Sequence, residues 1–475
     1  MRTRSTRLVA AVAAYLFLSW PARGQTDTSL KLSTANAAAA AEFRAGMSDY
    51  GNISFESAAA HFKAAMTADP NFGLARVLYV GTTGELNPDQ VNTELARGVA
   101  DAARGSNNEL ILAAAYREAT LGHTDASNAL FRAAAQLMPN DPLLGFAATG
   151  GFGAPLPAMR DFVTHHPQYP IGYNMLAYRE FLGGDRAAGL AAAKRQVELL
   201  PNAPNPHDTY AEILQWNGNF AEAAAHYKQA TTLSPRFPEA FAGLAEVASL
   251  QGQYDQARSY LNQAIANSWT PAQKLAYMRQ ITGTYIMQGA PADAVTKSIE
   301  ASLAEAKAQG DARTTSVLYS QLATVQANAG NVNAAHQSIA AAEAGGATVP
   351  WNAHYFAAMA HGLMKHWGPA AQELATLKAM AAKDPATVPK DPLAALEGFQ
   401  LTQQGKAAEA LPILMAADTT NLLVINRIAE AHAALGHAAE ATAWNNRINT
   451  NYALNLGVFT DVNSRRRAKQ ETAKP

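Results

Sequence analysis

The sequence predicts an all-α chain, an α-solenoid of stacked antiparallel helix pairs. Three observations carry this. Gly184, Gly218 and Gly252 stand 34 residues apart (218 − 184 and 252 − 218). Leu176, Tyr210 and Leu244 keep the same interval, as do Ala177, Ala211 and Ala245. Alanine, the best helix former, abounds, whereas alternating runs of β-branched and aromatic residues are scarce. A strict period of this length belongs to supersecondary units too small to bury their own apolar faces, so stacking is obligatory.

Residues 1–24 read as a secretory signal. Arg2, Arg4 and Arg7 precede an apolar stretch from Leu8 to Trp20, and Pro21-Ala22-Arg23-Gly24 supplies small residues where a signal peptidase reads. Cleavage is expected after Gly24, leaving Gln25. The apolar stretch has thirteen residues (8 to 20), and a helix needs about 20 to cross about 30 Å of hydrocarbon. No later run is long enough either, so no stable membrane insertion is expected. Residues 25–36 are polar and read as a flexible lead-in.

Helix pairs then follow in order. Residues 37–169 form N-terminal repeats. Gly46 is the small residue of the first helix, Ala58, Phe62 and Ala65 mark one face of the second, and Pro70 stops it. A turn from Gly84 to Gln90 divides the next pair, and Gly122 the third. The segment 142–169 is atypical, because Thr149 to Pro157 is punctuated by Gly and Pro and cannot be continuous helix. The regular block is 170–271. Divergent repeats follow over 272–381, with Gly289 and Gly330 at turns. Residues 382–392, rich in Pro and Lys, read as a linker or hinge. C-terminal repeats occupy 393–458, with turns at Gly405 and Gly436. The tail 459–475 carries Arg465, Arg466, Arg467, Lys469 and Lys474 and is expected to be disordered.

Each residue type in the regular unit has a physical task. Ala211 with Ala223, and Ala245 with Ala257, let paired helices approach. Tyr227 and Leu261 fill the wider gap toward the next helix. Gly218 and Gly252 take the positive φ of the turn. Pro235 cannot continue a helix and forces the chain onward. The run Tyr210-Ala211 … Gly218-Asn219-Phe220-Ala221-Glu222-Ala223 … Tyr227 … Ala230 … Pro235 resembles the tetratricopeptide repeat family. The next unit, Leu244-Ala245 … Gly252-Gln253-Tyr254-Asp255-Gln256-Ala257 … Leu261 … Ala264, matches nearly as well, with Trp269 in place of the closing proline. The resemblance is specific over 170–271, weaker over 40–141 and 316–349, and loose over 350–421, where the turn after His366-Trp367-Gly368 fits poorly. It implies a right-handed superhelix whose concave face binds peptides or proteins.

Composition and motifs argue against other classes. The net charge of −1 and pI near 6.9 give no basic field for nucleic acid. Cysteine is absent, which excludes disulfides, thiolate metal sites and a Cys nucleophile. No serine-hydrolase, zinc-protease or phosphate-loop motif occurs, and Gly150-Gly151-Phe152-Gly153 follows no strand. His354 and His361 lie about 10 Å apart along a helix, too far to share one ion. His366 is nearby, and His432 and His437 flank a turn. No metal, cofactor or catalytic residue is expected.

In the family resembled, the first helix of each pair lines the groove. That register places Asn174, Tyr178 and Phe181 there, then Asp208, Glu212, Gln215 and Trp216, then Glu239, Glu246 and Ser249, with Tyr116 from an earlier unit. The expected groove is acidic with an aromatic edge. It suits a protein or peptide segment bearing Lys or Arg and an apolar anchor. The family's clamp for C-terminal carboxylates uses Lys, Arg and Asn, and Asp and Glu stand here instead. The leading expectation is an exported, periplasmic or secreted, non-enzymatic scaffold. The alternatives are a structural subunit of a cell-envelope assembly, and an enzyme with a site in 142–169 or near His354–His366.

Overall fold

A computed structural model describes residues 30–345 and 349–452. The expected signal at 1–24 and the basic tail at 459–475 lie outside them. The described residues are all-α, with 24 α-helices and no strands. The chain divides into two compact units. One is residues 1–214 with 229–235, the other 215–228 with 236–475.

In order, the helices that begin in the first unit are α1 (Ala37–Gly51), α2 (Phe55–Ala68), α3 (Gly73–Thr82), α4 (Pro88–Ala102), α5 (Asn107–Thr120), α6 (Thr124–Leu137), α7 (Pro142–Ala148), α8 (Leu156–His165), α9 (Pro170–Leu182), α10 (Arg186–Leu199) and α11 (Pro204–Trp216). A 3₁₀ turn at Gly151–Gly153 separates α7 from α8. The atypical segment is thus a shortened hairpin of 7- and 10-residue helices. The core of this unit gathers Phe43, Phe62, Phe72, Leu78, Leu95 and Phe131. Polar caps set the starts of these helices. Asn87 and Gln90 form a reciprocal capping box at α4, and Asp185 accepts from the Ala188 amide at α10.

The lead-in departs from expectation over its described part. Leu30 and Leu32 pack on the N-terminal core. The Ser33 amide and hydroxyl both donate to the fully buried Glu109 carboxylate, at 2.5 and 2.8 Å. A buried carboxylate needs such donors, so residues 30–36 are held against α5 rather than loose. Burial raises the Glu109 carboxyl, and the Ser33 hydrogen bonds oppose that rise.

The remaining helices are α12 (Phe220–Leu233), α13 (Pro238–Leu250), α14 (Tyr254–Ala266), α15 (Pro271–Gln288), α16 (Ala292–Ala308), α17 (Ala312–Asn328), α18 (Val332–Glu343), α19 (Trp351–Leu363), α20 (Trp367–Lys383), α21 (Lys390–Gln403), α22 (Ala407–Met415), α23 (Leu422–Ala434) and α24 (Ala438–Asn449). Their core runs from Ala245 and Leu261 through Ile299, Leu318, Phe356 and Phe399 to Val424 and Ile428. Tyr227 fills the gap toward the next helix, as expected, and the partner is glycine. A Cβ on Gly243 would lie 2.2 Å from the Tyr227 ring. The same fit recurs where a Cβ on Gly172 would lie 2.7 Å from the Phe162 ring.

The interval expected as a linker is short. Helix α20 runs to Lys383 and α21 resumes at Lys390, with Val388 buried between them. Pro392 falls in the first turn of α21, where a missing N–H costs nothing because that amide has no partner in the helix.

Candidate functional site

The regular block places its polar side chains between successive repeats. Asn174 on α9 donates to Thr209 Oγ1 on α11 at 2.7 Å, and more distantly to Gln196 and Asn205. The Tyr178 hydroxyl donates to Glu212 at 2.7 Å. Gln215 Nε2 donates to Glu246 at 3.1 Å, and its amide oxygen accepts from the Tyr227 hydroxyl at 3.2 Å. Gln273 donates to Glu239 at 2.8 Å. Three of these bonds join residues 34 or 35 apart and a fourth joins residues 31 apart. They tie each repeat to the next.

The residues expected to line an open groove are therefore half-buried or buried. Asn174, Gln215 and Ser249 are buried, and Tyr178, Asp208, Glu212, Trp216, Glu239 and Glu246 half-buried. Phe181 is half-buried, with the Arg186 guanidinium 5.3 Å from its ring centroid. Tyr116 departs furthest. Its ring packs edge-on against Tyr50 at 5.8 Å and Phe131 at 5.0 Å, deep in the N-terminal core. Burial raises the Glu212 carboxyl, and the Tyr178 hydrogen bond works against that rise. Burial, with the Glu212 charge beside it, pushes the Tyr178 hydroxyl well above its ordinary value.

In the second unit one polar corner already holds a chain segment. Tyr452, beyond α24, sets its ring edge-on against Phe220, with centroids 5.1 Å apart at 84°. A Cβ on Gly218 would lie 3.0 Å from that ring, so the turn glycine leaves room for it. The Tyr452 carbonyl receives a long hydrogen bond from Gln215 Nε2, at 3.5 Å. A separate open cleft of about 540 Å³ lies along α14, α15 and α16. Ile265, Met278, Ile281 and Tyr285 give it an apolar wall, and the Lys274–Glu305 ion pair at 2.8 Å stands beside them.

Histidines gather on α18 to α20. His336, His361 and His366 place ring nitrogens within 4.8 Å of one another. His336 is exposed, His361 buried and His366 half-buried. The His336 and His366 rings stack at 5.1 Å and 16°. His354 is not among them: its Nδ1 meets Glu373 at 2.7 Å. A pocket of about 340 Å³ is lined by His336 and His361 together with Glu343 and Glu373. Burial lowers the His361 imidazole, with Glu373 acting the other way. Burial and the neighbouring Glu373 carboxylate raise the Glu343 carboxyl.

Residues 216–268 match the tetratricopeptide repeat family. That match places a tetratricopeptide repeat at those residues. Three solved structures are similar over about a third of it. Two are of MamA, at 16% and 17% identity, covering 34% and 32% of this chain and 91% and 93% of theirs, each with a TM-score of 0.28. The third is TTC0263, a thermophilic tetratricopeptide-repeat protein of Thermus thermophilus. It is 23% identical, covers 36% of this chain and 96% of its own, and has a TM-score of 0.32. Likenesses this partial carry no argument about function. No curated protein matches.

In repeat terms, two features escape the sequence. His336 sits on the second helix of one repeat and meets the first helix of the next, a contact that single-helix spacing does not display. Tyr452 reaches Gln215, which lies 237 residues before it. The apolar wall on α15 did leave a trace, since Met278, Ile281 and Tyr285 recur at helical spacing on one face.

Proposed function

We propose that this chain is an exported, non-catalytic scaffold whose tetratricopeptide repeats hold protein segments. The observation that supports this best is the seat of Tyr452. A non-helical piece of chain lies on the turn of a repeat, anchored by an aromatic ring and a backbone carbonyl. Aromatic anchors of this kind give large contact area at small entropic cost. A partner segment carrying one aromatic residue would use the same contacts with Phe220 and Gln215. Lys or Arg beside that anchor would meet Glu246, which already accepts from Gln215.

Export rests on the basic, apolar and small-residue order of residues 2–24. Among the described residues no helix is long and apolar enough to cross a membrane. Sequencing the mature N-terminus should return Gln25. An intact Met1 on the protein isolated from the cytoplasm would refute export.

A photo-crosslinking residue at Asn219, which is exposed beside Phe220, tests the binding surface in native cells. Adducts with one defined protein are expected there and not from the exposed position Asp125. Their yield should rise in Tyr452→Ala, which vacates the seat. Equal adducts from both positions, or none from Asn219, would place binding elsewhere.

A further inference from the structure

We propose that His336, His361 and His366 form a binding site for a divalent late transition-metal ion of the zinc class. The three residues come from α18, α19 and the turn into α20, so the ion would clamp two successive repeats. The inference rests on geometry and on hydrogen bonding.

The ring nitrogens already lie within 4.8 Å of one another. Three imidazoles on a tetrahedral ion, at about 2.1 Å each, stand roughly 3.4 Å apart. Closing the difference asks for about 1.4 Å or less between ring nitrogens. His336 is exposed and stacks on His366 without being buried, so it can turn without disturbing the core.

Four of the chain's other described histidines show what a partnered imidazole does here. His61 meets Glu42 at 2.7 Å, His123 meets Glu118 at 2.7 Å, His354 meets Glu373 at 2.7 Å, and His207 meets the Pro201 carbonyl at 2.9 Å. The triad differs. His361 is only 7% exposed, yet its Nδ1 has no hydrogen-bond partner. His366 occupies the N-cap position of α20, but its side chain makes no cap bond. A buried ring nitrogen without a partner is costly, and an ion that binds there is one recognised reason for it. Three imidazoles facing one another repel when protonated. A shared cation converts that arrangement into an attraction.

The surroundings suit such an ion. Neutral imidazole is a preferred ligand for zinc, copper and nickel. Three histidines leave a fourth position, and here it faces the pocket that Glu343 and Glu373 also line. Carboxylates near histidine ligands commonly orient them. Strain gathers at the same place, since Lys365, which immediately precedes His366, has φ of 60°. A site built without cysteine also survives oxidising surroundings that destroy thiolate ligands.

The test uses tag-free, full-length protein at neutral pH, because an affinity tag of histidines would itself bind the ion. Zinc chloride is titrated calorimetrically, and cobalt(II) is titrated while visible absorption is followed. The expected result is one equivalent of tightly bound zinc and the intense visible bands of four-coordinate cobalt. His336→Ala should weaken zinc binding at least about tenfold. The exposed position leaves the core packing intact in that variant, which circular dichroism checks. A His432→Ala/His437→Ala double variant should keep the bound equivalent. Zinc should also raise the melting temperature of the wild type and not of His336→Ala. Absence of a bound equivalent, or binding unchanged in His336→Ala, would overturn the proposal.

Discussion

The block at 170–271 and the repeats at 312–383 use one backbone plan in two ways. In the first, Asn174, Tyr178, Gln215 and Glu239 each find a polar partner in a neighbouring repeat. The turn before the second helix carries Gly184, Gly218 and Gly252, all at positive φ. In the second, Ser316 and Thr324 still bond across to Ala342 and Phe356 carbonyls, at 2.5 and 3.1 Å. Three imidazoles nevertheless face one another beside a pocket, and the last turn places Lys365 at φ 60°. The period dictates where the helices lie. It leaves the side chains at each junction to be chosen for cohesion or for a site. In the regular block most of these polar groups hold repeats together, and Gln215 and Glu246 also stand beside the seat of Tyr452.

The largest test of this contrast concerns packing. Gly243→Ala puts a Cβ 2.2 Å from two Tyr227 ring atoms, and Tyr227 is itself 3% exposed and bonded to Gln215. Overpacking of this kind should cost about 3 kcal/mol in chemical denaturation. Gly368→Ala, in the first turn of α20 with nothing within 4 Å of the new Cβ, should cost nothing. Equal losses in the two would mean that the close approach in the regular block carries no stability.

Next comes the polar ladder. Asn174→Ala takes the donor from the buried Thr209 hydroxyl, while Asn205 keeps its bond from Gln196, at a cost of about 2 kcal/mol. A double-mutant cycle between Asn174→Ala and Thr209→Val isolates the pair, and should return a coupling of about 1 kcal/mol. Additive losses would deny that the ladder couples the repeats.

A smaller effect depends on pH. Burial raises the Glu212 carboxyl above its ordinary 4.5, so the folded chain favours the neutral acid. The resulting stability is complete below the unfolded value and is lost as pH rises through the folded one. Glu212→Gln keeps an acceptor for Tyr178 without the charge. Wild type should therefore lose stability relative to the variant as pH climbs from about 4.5 upward, measured by urea melts at a series of pH values. A constant difference across that range would show that the carboxylate carries no burial penalty.

The fold was legible in the sequence because a turn glycine leaves its mark at a single position. Gly122, Gly184, Gly218, Gly252, Gly289, Gly330, Gly405 and Gly436 all take positive φ, and each helix stop at Pro70, Pro201 and Pro235 falls where proline requires it. The pairings of the expected groove residues were not legible in the sequence. Helix phase says that Tyr178 and Glu212 point the same way, and cannot say that each reaches the other across a repeat boundary. Tyr116 was misplaced for a similar reason, since its burial depends on Tyr50 and Phe131 from other helices. The histidine triad is hidden from single-helix spacing, which relates His354 to His361 on one helix, whereas His336 enters from the preceding one.

The poor fit of the turn near His366 now has a physical cause, and it provides the finest test. The turn glycines named above have no Cβ to strain, whereas Lys365 takes φ 60° with one, as Ile53 does at φ 61° in the first helix pair. Lys365→Gly should stabilise the repeat by up to about 1 kcal/mol, while Gly252→Ala, at φ 78° with open space around it, should destabilise by a similar amount. The pair separates conformation from contact. If Lys365→Gly instead lowers the melting temperature, the lysine side chain must be holding the turn that delivers His366. The strain there would then belong to the histidine site rather than to drift in the repeat.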